Sequence, residues 1–358
     1  MQSMPPVRQN GPEPASRPAP PLVVRFGAMG DMIMATPLLR ALAQRHGQPC
    51  DILGRGGWLP KLFAHAPFVG TVRCIDSLRM HYFIERSKWQ AVAWMRARGV
   101  GPVYLLQTDP STLDMVRRAG LTITADDDRC ALVPTQHTIE HHRCIAGFGD
   151  GYDMGTELAV SESELTECRD WIGRLGCAGS PLVLIQAGNR KTSCWRTSPS
   201  DHKIWPPERW AEVARGVLAA LPPARVLFIG SPNEQKLAVT VCTAVGDGRA
   251  IPVADQLPLR RLLALLRLAH SLISVDTGPA HAAAAMHCPA VVLFGRTDPR
   301  VTGPRSSASP VLAVGPPGAP PLDGNLPWLR DGSLNGIEAA QVLERWRELL
   351  MPTPGRLT

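Results

Sequence analysis

The segment Asp276-Thr277-Gly278-Pro279-Ala280-His281 is the part of the sequence best suited to hold a charged ligand. It follows the apolar run Leu272 to Val275 and precedes four consecutive alanines, Ala282 to Ala285. That order reads as a strand end, a Gly-Pro turn and the start of a small-residue helix. The first N–H groups of a helix have no acceptor within it and carry partial positive charge, so a diphosphate fits there. Gly278 lets the backbone approach the ligand, and Thr277 and His281 can donate to phosphate oxygens. The competing reading is a capped helix with no ligand.

A second segment, Gly27-Ala28-Met29-Gly30-Asp31, follows the apolar run Leu22 to Phe26. Its glycines permit a tight turn that leaves Asp31 at the carboxyl end of a strand. A carboxylate there can take a proton from a substrate hydroxyl; capping the following helix would suit it equally well. The spacing is neither the dinucleotide GxGxxG nor a P-loop, since no Gly-Lys-Ser/Thr follows. Lys203, ahead of Trp205-Pro206 and Trp210, can pair with phosphate as a point charge, and the two tryptophans read as core anchors. Glu234 follows Phe228-Ile229-Gly230-Ser231, where an acid after a strand can hold ribose hydroxyls. Gly188 lies on the loop after the run Pro181 to Ile185 and is expected to support it.

The elements that must position these residues repeat one grammar twice. Strands are expected at Leu22–Phe26, Cys50–Leu53, Thr71–Ile75 and Val103–Gln107. Helices are expected between them, the first from about Pro37 and another over Tyr82–Arg98. After an amphipathic helix at Glu162–Leu175, strands recur at Pro181–Ile185, Ala224–Ile229, Leu272–Val275 and Ala290–Phe294. Helices are expected at Arg209–Ala220 and Leu259–Ala269. Short apolar strands alternating with helices predict parallel sheets covered on both faces. Such sheets bind ligands beyond the carboxyl ends of their strands. The expected organisation is a Pro-rich disordered tail (1–21), an N-terminal α/β domain (22–160), a linker helix (161–180) and a C-terminal α/β domain (181–314). A Pro/Gly-rich segment with a last helix (315–358) completes it. Asn335 with Glu338 reads as the capping box of that helix, with Ile337, Ala340, Leu343, Trp346 and Leu350 on one face.

Bulk properties narrow the class. The 358 residues exceed one ordinary core and suit two. No apolar run reaches the ~18 residues that span a bilayer. Seven prolines among residues 1–21 stand where the apolar part of a signal peptide would be, so the chain is expected to stay in the cytoplasm. Nine cysteines without a CxxC pair read as reduced, mostly buried thiols. The net charge is +7, with ten Lys/Arg against four Asp/Glu between residues 55 and 118. Aromatic residues are only 5%, without the basic–aromatic pattern of an RNA-binding module, so no nucleic-acid partner is expected.

Taken in order, Gly30-Asp31 with Pro37, Lys203 with Trp205-Pro206 and Trp210, and Asp276-Thr277-Gly278-Pro279 with His281 resemble glycosyltransferase family 9, the ADP-heptose:lipopolysaccharide heptosyltransferases. The likeness runs from about Leu22 to Pro304. It implies a GT-B fold, two Rossmann-like parallel-sheet domains facing a cleft. It further implies an inverting transfer without metal or other cofactor, with Asp31 as general base. Lys203, Glu234, Asp276, Thr277, Gly278, Pro279 and His281 would contact the donor, and Gly27, Gly30 and Gly188 would shape the loops. The implied donor is ADP-heptose. The implied acceptor is a lipopolysaccharide-core or related glycan, reached by peripheral contact with the cytoplasmic face of the inner membrane.

Other readings rank lower. A nucleotide-sugar epimerase on the same fold would alter the donor without an acceptor, and a non-catalytic nucleotide-binding protein would do neither. Asp126-Asp127-Asp128 matches the DxD pattern of metal-dependent sugar transferases but lacks a clear strand in front, and a solvated turn is preferred. His137, His141 and Cys144 have helical spacing for zinc, without a fourth ligand.

Overall fold

The computed structural model describes residues 18–131, 133, 135–149, 151–189, 204–323, 327–329 and 332–350. The N-terminal half runs β1 (Leu22–Val24), α1 (Met29–Met34), α2 (Thr36–His46), β2 (Cys50–Arg55), α3 (Leu59–Leu62) and β3 (Val69–Ile75). It continues with α4 (Arg86–Ala97), β4 (Val103–Leu105), α5 (Pro110–Arg118) and α6 (Thr138–Ile145). Its four strands are all parallel and lie in the order β3-β2-β1-β4.

Helix α7 (Glu162–Arg174) leads into the C-terminal half, its start closed by the reciprocal Ser161–Glu164 capping box. There follow β5 (Leu182–Gln186), α8 (Pro207–Ala220), β6 (Arg225–Phe228), α9 (Gln235–Val245), β7 (Ala250–Pro252) and α10 (Leu259–Leu268). Then come β8 (Ser271–Val275), α11 (Gly278–Ala285), β9 (Ala290–Leu293), α12 (Pro299–Thr302), β10 (Val311–Val314) and α13 (Ala339–Glu348). The six strands are parallel, in the order β10-β9-β8-β5-β6-β7.

Both sheets reverse direction about their first strand, between β1 and β4 and between β5 and β8. An open α/β sheet has its ligand crevice at such a reversal, outside the carboxyl ends of the strands. Asp31 leaves β1 and Asp276 leaves β8, so both segments singled out by sequence lie at switch points. This is a GT-B arrangement.

Apolar packing explains why the strands read as unbroken hydrophobic runs. Strands β1, β5 and β8 are buried at every position, as expected of strands covered on both faces. One cluster is continuous from Val23 and Leu38 of the first half to Leu184 and Ala283 of the second, so the two sheets share a core. A second cluster covers the other face of the C-terminal sheet. There Trp205 and Trp210 meet edge to face at 4.7 Å, and Trp346 of α13 donates to the Ser271 hydroxyl.

Several elements differ from the sequence reading. The chain is already packed at Ala19, whose N–H donates to Val100 O, so residues 18–21 do not belong to a disordered tail. Helix α4 begins at Arg86, capped by Glu85, because His81–Ile84 form a turn instead. Strands β7 and β10 had no counterpart; β7 has three residues and ends in Pro252, too short and too proline-rich to read as a strand. Helix α13 is boxed by Glu338 and Gln341, three residues beyond the expected pair. Asn335 instead lies in a preceding 3-10 turn capped by Ser333. Its buried face is therefore Ala339, Val342 and Trp346, while Ala340 and Leu350 are exposed. Cys130 and Cys144 form a disulfide that ties the turn at Asp127–Arg129 to α6, contrary to the expectation of reduced thiols. The other described cysteines are free.

Candidate active site

Four segments build the candidate site, one from the N-terminal sheet and three from the C-terminal sheet. The turn after β1 is pinned to the neighbouring strand β4. Phe26 N–H donates to the Gln107 side-chain oxygen at 2.8 Å, and the Arg25 guanidinium donates to Leu106 O at 2.7 Å. Arg25 also pairs with Asp31, 3.2 Å from Oδ1. The other carboxylate oxygen of Asp31 accepts from Ala28 N–H at 2.7 Å, closing the first turn of α1. Asp31 therefore does cap a helix, from inside its first turn. Each oxygen accepts one hydrogen bond and keeps a lone pair, and a third of the side chain is open to solvent. Gly27 is required here, because a methyl group at that position would collide with the Asp31 side chain.

The turn after β8 places Thr277 at the N-cap of α11 in extended conformation, with Pro279 in the first turn. Thr277 does not use its hydroxyl as a cap; the group donates to Val275 O at 3.2 Å. Pro279 has no N–H to satisfy, so it suits a first turn. Ala280 and Ala282 to Ala285 are buried, and their small size lets α11 lie close against the sheet. Asp276 and His281 are both nearly buried, with Nε2 of His281 3.9 Å from Oδ1 of Asp276.

The two turns meet. A methyl group at Gly30 would lie 2.7 Å from Cδ2 of His281, and one at Gly278 would collide with Met29. Helices α1 and α11 thus pack against each other through glycine on both sides. Residue 31 and the Asp276–His281 turn, 245 positions apart at their first residues by sequence number, are carried by helices that touch.

Two further segments flank them. Glu234 is buried, and one of its oxygens accepts from Ser231 N–H and hydroxyl at 2.8 and 2.7 Å. Its other oxygen accepts from Gln186 at 3.2 Å, and Gln186 also donates to Gly188 O at 2.9 Å. The Gln186 side-chain oxygen is buried and has no hydrogen-bond partner among the described residues. Lys203 lies outside the described residues.

Arg25, Gln107 and Gln186 were missed by sequence reasoning. Arg25 and Gln107 both stand at carboxyl ends of expected strands, a weak signal that becomes clear only when β1 and β4 are known to be neighbours. The DxD candidate resolves differently: Asp127 binds His141 at 2.6 Å, and Asp128 accepts from Thr108. The zinc candidate does not assemble, because Cys144 is in the disulfide and His137 Nε2 meets Gly303 O at 2.8 Å.

The chain is also similar to known proteins. The family model described as glycosyltransferase family 9 (heptosyltransferase) matches residues 112–318, more than half of the chain. The chain belongs to this family. Lipopolysaccharide heptosyltransferase 1 of Escherichia coli K12 is 32% identical over 172 residues, 47% of each chain. The enzyme of the same name from Pseudomonas aeruginosa is 32% identical over 130 residues, 35% of this chain and 32% of that protein. The chain thus spans about half or less of the length of these curated relatives. Among solved structures, the family 9 glycosyl transferase of Veillonella parvula superposes with a TM-score of 0.75 at 18% identity, covering 93% of this chain and 97% of that one. E. coli ADP-heptose lps heptosyltransferase II gives 0.71 at 20% identity, covering 92% and 98%. These structures establish the shared fold.

Proposed function

We propose that this family 9 chain is an inverting, metal-independent glycosyltransferase that moves a heptose from ADP-heptose to a lipopolysaccharide-core or related glycan acceptor. The observation that supports the reading is the Gly30–His281 contact, which packs α1, the helix carrying Asp31, against α11. Asp31 takes the proton of the acceptor hydroxyl as that oxygen attacks the anomeric carbon. The bond from that carbon to the diphosphate breaks on the opposite face, and ADP leaves with the electron pair. The first turn of α11, with Thr277 and Gly278, meets the developing negative charge. Pro279 starts that turn, Asp276 and His281 orient the donor, and Glu234 holds its ribose. Arg25 keeps the Asp31 carboxylate aimed at the cleft. Lipopolysaccharide relatives and the positive charge of residues 55–118 support work at the cytoplasmic face of the inner membrane.

The test is transfer from ADP-heptose with a core-oligosaccharide acceptor and with donor alone, each with and without a chelator. Asp31→Asn keeps a hydrogen-bond acceptor for the α1 turn but removes the base. Turnover should fall roughly 10²–10⁴-fold while ADP affinity, read by calorimetry, changes little. Unchanged turnover would remove Asp31 from the mechanism. Conversion of the donor without acceptor would replace transfer by epimerisation, and chelator-sensitive transfer would remove metal independence.

A further inference from the structure

The loop between β3 and α4 exposes apolar side chains that the transfer chemistry does not use. Phe83 is 62% exposed and Ile84 72%, with Met80 and Trp89 close to half exposed. Single exposed apolar residues need no explanation, but contiguous ones mark an interaction surface. These are contiguous. The Phe83 ring lies 5.4 Å from His81 and 5.6 Å from Tyr82, and Tyr82 lies 6.3 Å from Trp89.

The loop is held in this exposed state. Lys88, 1% exposed, spends two ammonium donors on it, reaching Leu78 O and Met80 O at 2.9 and 2.5 Å, and a third on the Ser111 hydroxyl of α5 at 2.7 Å. The Trp89 indole donates to Tyr82 O at 2.6 Å. The N–H groups of Ile84 and Glu85 both donate to His81 O, so Phe83 and Ile84 sit at the tip of a closed turn.

The surroundings are basic. Arg79, Arg86 and Arg117 are exposed around the tip, and the Arg118 guanidinium lies over the Tyr82 and Phe83 rings at 4.4 and 5.3 Å. Of the nearby acids, Glu85 is used as the cap of α4 and Asp114 pairs with Arg118; Asp76 is exposed. Aromatic and aliphatic tips rimmed by arginine match the interface of an anionic bilayer, where rings enter the headgroup layer and cations meet lipid phosphates. A protruding turn enters such a layer without a complementary pocket, which a protein partner would have to supply. The position agrees with this occupant. The strands are parallel, so the loop leaves the carboxyl end of β3 on the same rim of the sheet from which Asp31 leaves β1.

We infer that the His81–Ile84 turn with Trp89, rimmed by Arg79, Arg86 and Arg117, is the surface that docks this protein on an anionic phospholipid bilayer, with the acceptor side of the cleft turned toward the lipid. This names the surface behind the membrane contact in the proposed function, and its test reads vesicle binding, so it stands or falls separately from transfer.

The experiment is co-sedimentation of the full chain with phosphatidylcholine vesicles containing none or about 30% phosphatidylglycerol. The unmodified protein should bind the anionic vesicles and lose most binding at about 0.5 M salt. Phe83→Ser/Ile84→Ser should weaken binding by ~10-fold or more, and Arg79→Glu/Arg86→Glu should abolish the preference for anionic lipid. Circular dichroism and ADP binding should match the unmodified protein for both variants, since neither touches the candidate active site. Equal sedimentation of the unmodified protein and the Phe83/Ile84 variant would overturn the inference. So would a dimer, seen by analytical ultracentrifugation, that the same variant dissolves, since the patch would then belong to a second copy.

Discussion

Gly30 and Gly27 do their work by lacking side chains. At Gly30 the missing methyl leaves room for the His281 ring, and at Gly27 it leaves room for the Asp31 carboxyl. A Gly30→Ala variant must push α1 away from α11, an overpacking defect of about 1–3 kcal/mol. Urea unfolding should show that loss, and ADP binding should weaken with it because His281 is displaced. Gly27→Ala strains the Asp31 turn instead, its nearest contacts being Asp31 atoms and not those of His281. It should lower turnover as Asp31→Asn does while sparing ADP affinity, which calorimetry beside a transfer assay would separate. Both glycines were visible in the sequence as turn formers. What each one makes room for was not, since His281 is 251 residues from Gly30 by number.

At the scale of elements, α6 joins the two halves. Its N-cap His137 meets Gly303 O and its Thr138 hydroxyl donates to Val301 O, while the Cys130–Cys144 disulfide holds its other side. Burial pushes the His137 imidazole down to about 4. Burial, then the nearby Arg25 guanidinium, brings His142 down to about 3. Both stay neutral in the folded protein while the unfolded chain takes up protons below about pH 6.5. The unfolded state thus binds more protons across that window, and stability falls as pH drops from about 6.5 toward 3–4. Urea midpoints measured over that range should decline, and His137→Gln should decline less steeply. A flat profile would show that these imidazoles are accessible to protons in the folded state. Sequence spacing suggested a metal site for the same helix. The side chains are instead spent on hydrogen bonds and a disulfide, because the facing elements, Gly303 and Cys130, come from elsewhere in the chain.

For the whole molecule, Arg260 ties the halves together. Its guanidinium pairs with Glu164 of α7 at 2.6 Å and donates to Lys61 O of α3 and to Ala159 O. The Arg260 side chain holds the Glu164 carboxyl down at about 2. A depressed carboxylate contributes stability that is complete above its unfolded value, near 4.5, and is lost as pH falls toward 2. Arg260→Met should lower stability by about 1–3 kcal/mol at neutral pH and flatten the part of the acid limb below pH 4.5. The imidazole limb above it should remain. Differential scanning calorimetry at pH 7 and pH 3.5 separates the two contributions.

The sequence by itself determined eight of the ten described strands, the glycine turns, the Pro279 helix start and the family, because strand runs, turn chemistry and helix capping depend on residues within a few positions of each other. It could not place α13 correctly, since Asn335–Glu338 and Glu338–Gln341 are both sound capping pairs and only the docking of Trp346 on Ser271 chooses between them. Tertiary structure alone decided that Arg25 serves Asp31, that Cys130 finds Cys144, that Lys88 is buried under an apolar loop, and that Gly30 meets His281. Each of those facts depends on which strands are neighbours and which helices cross. Strand order is settled by the packing of whole sheets, and no local pattern of residue types carries it.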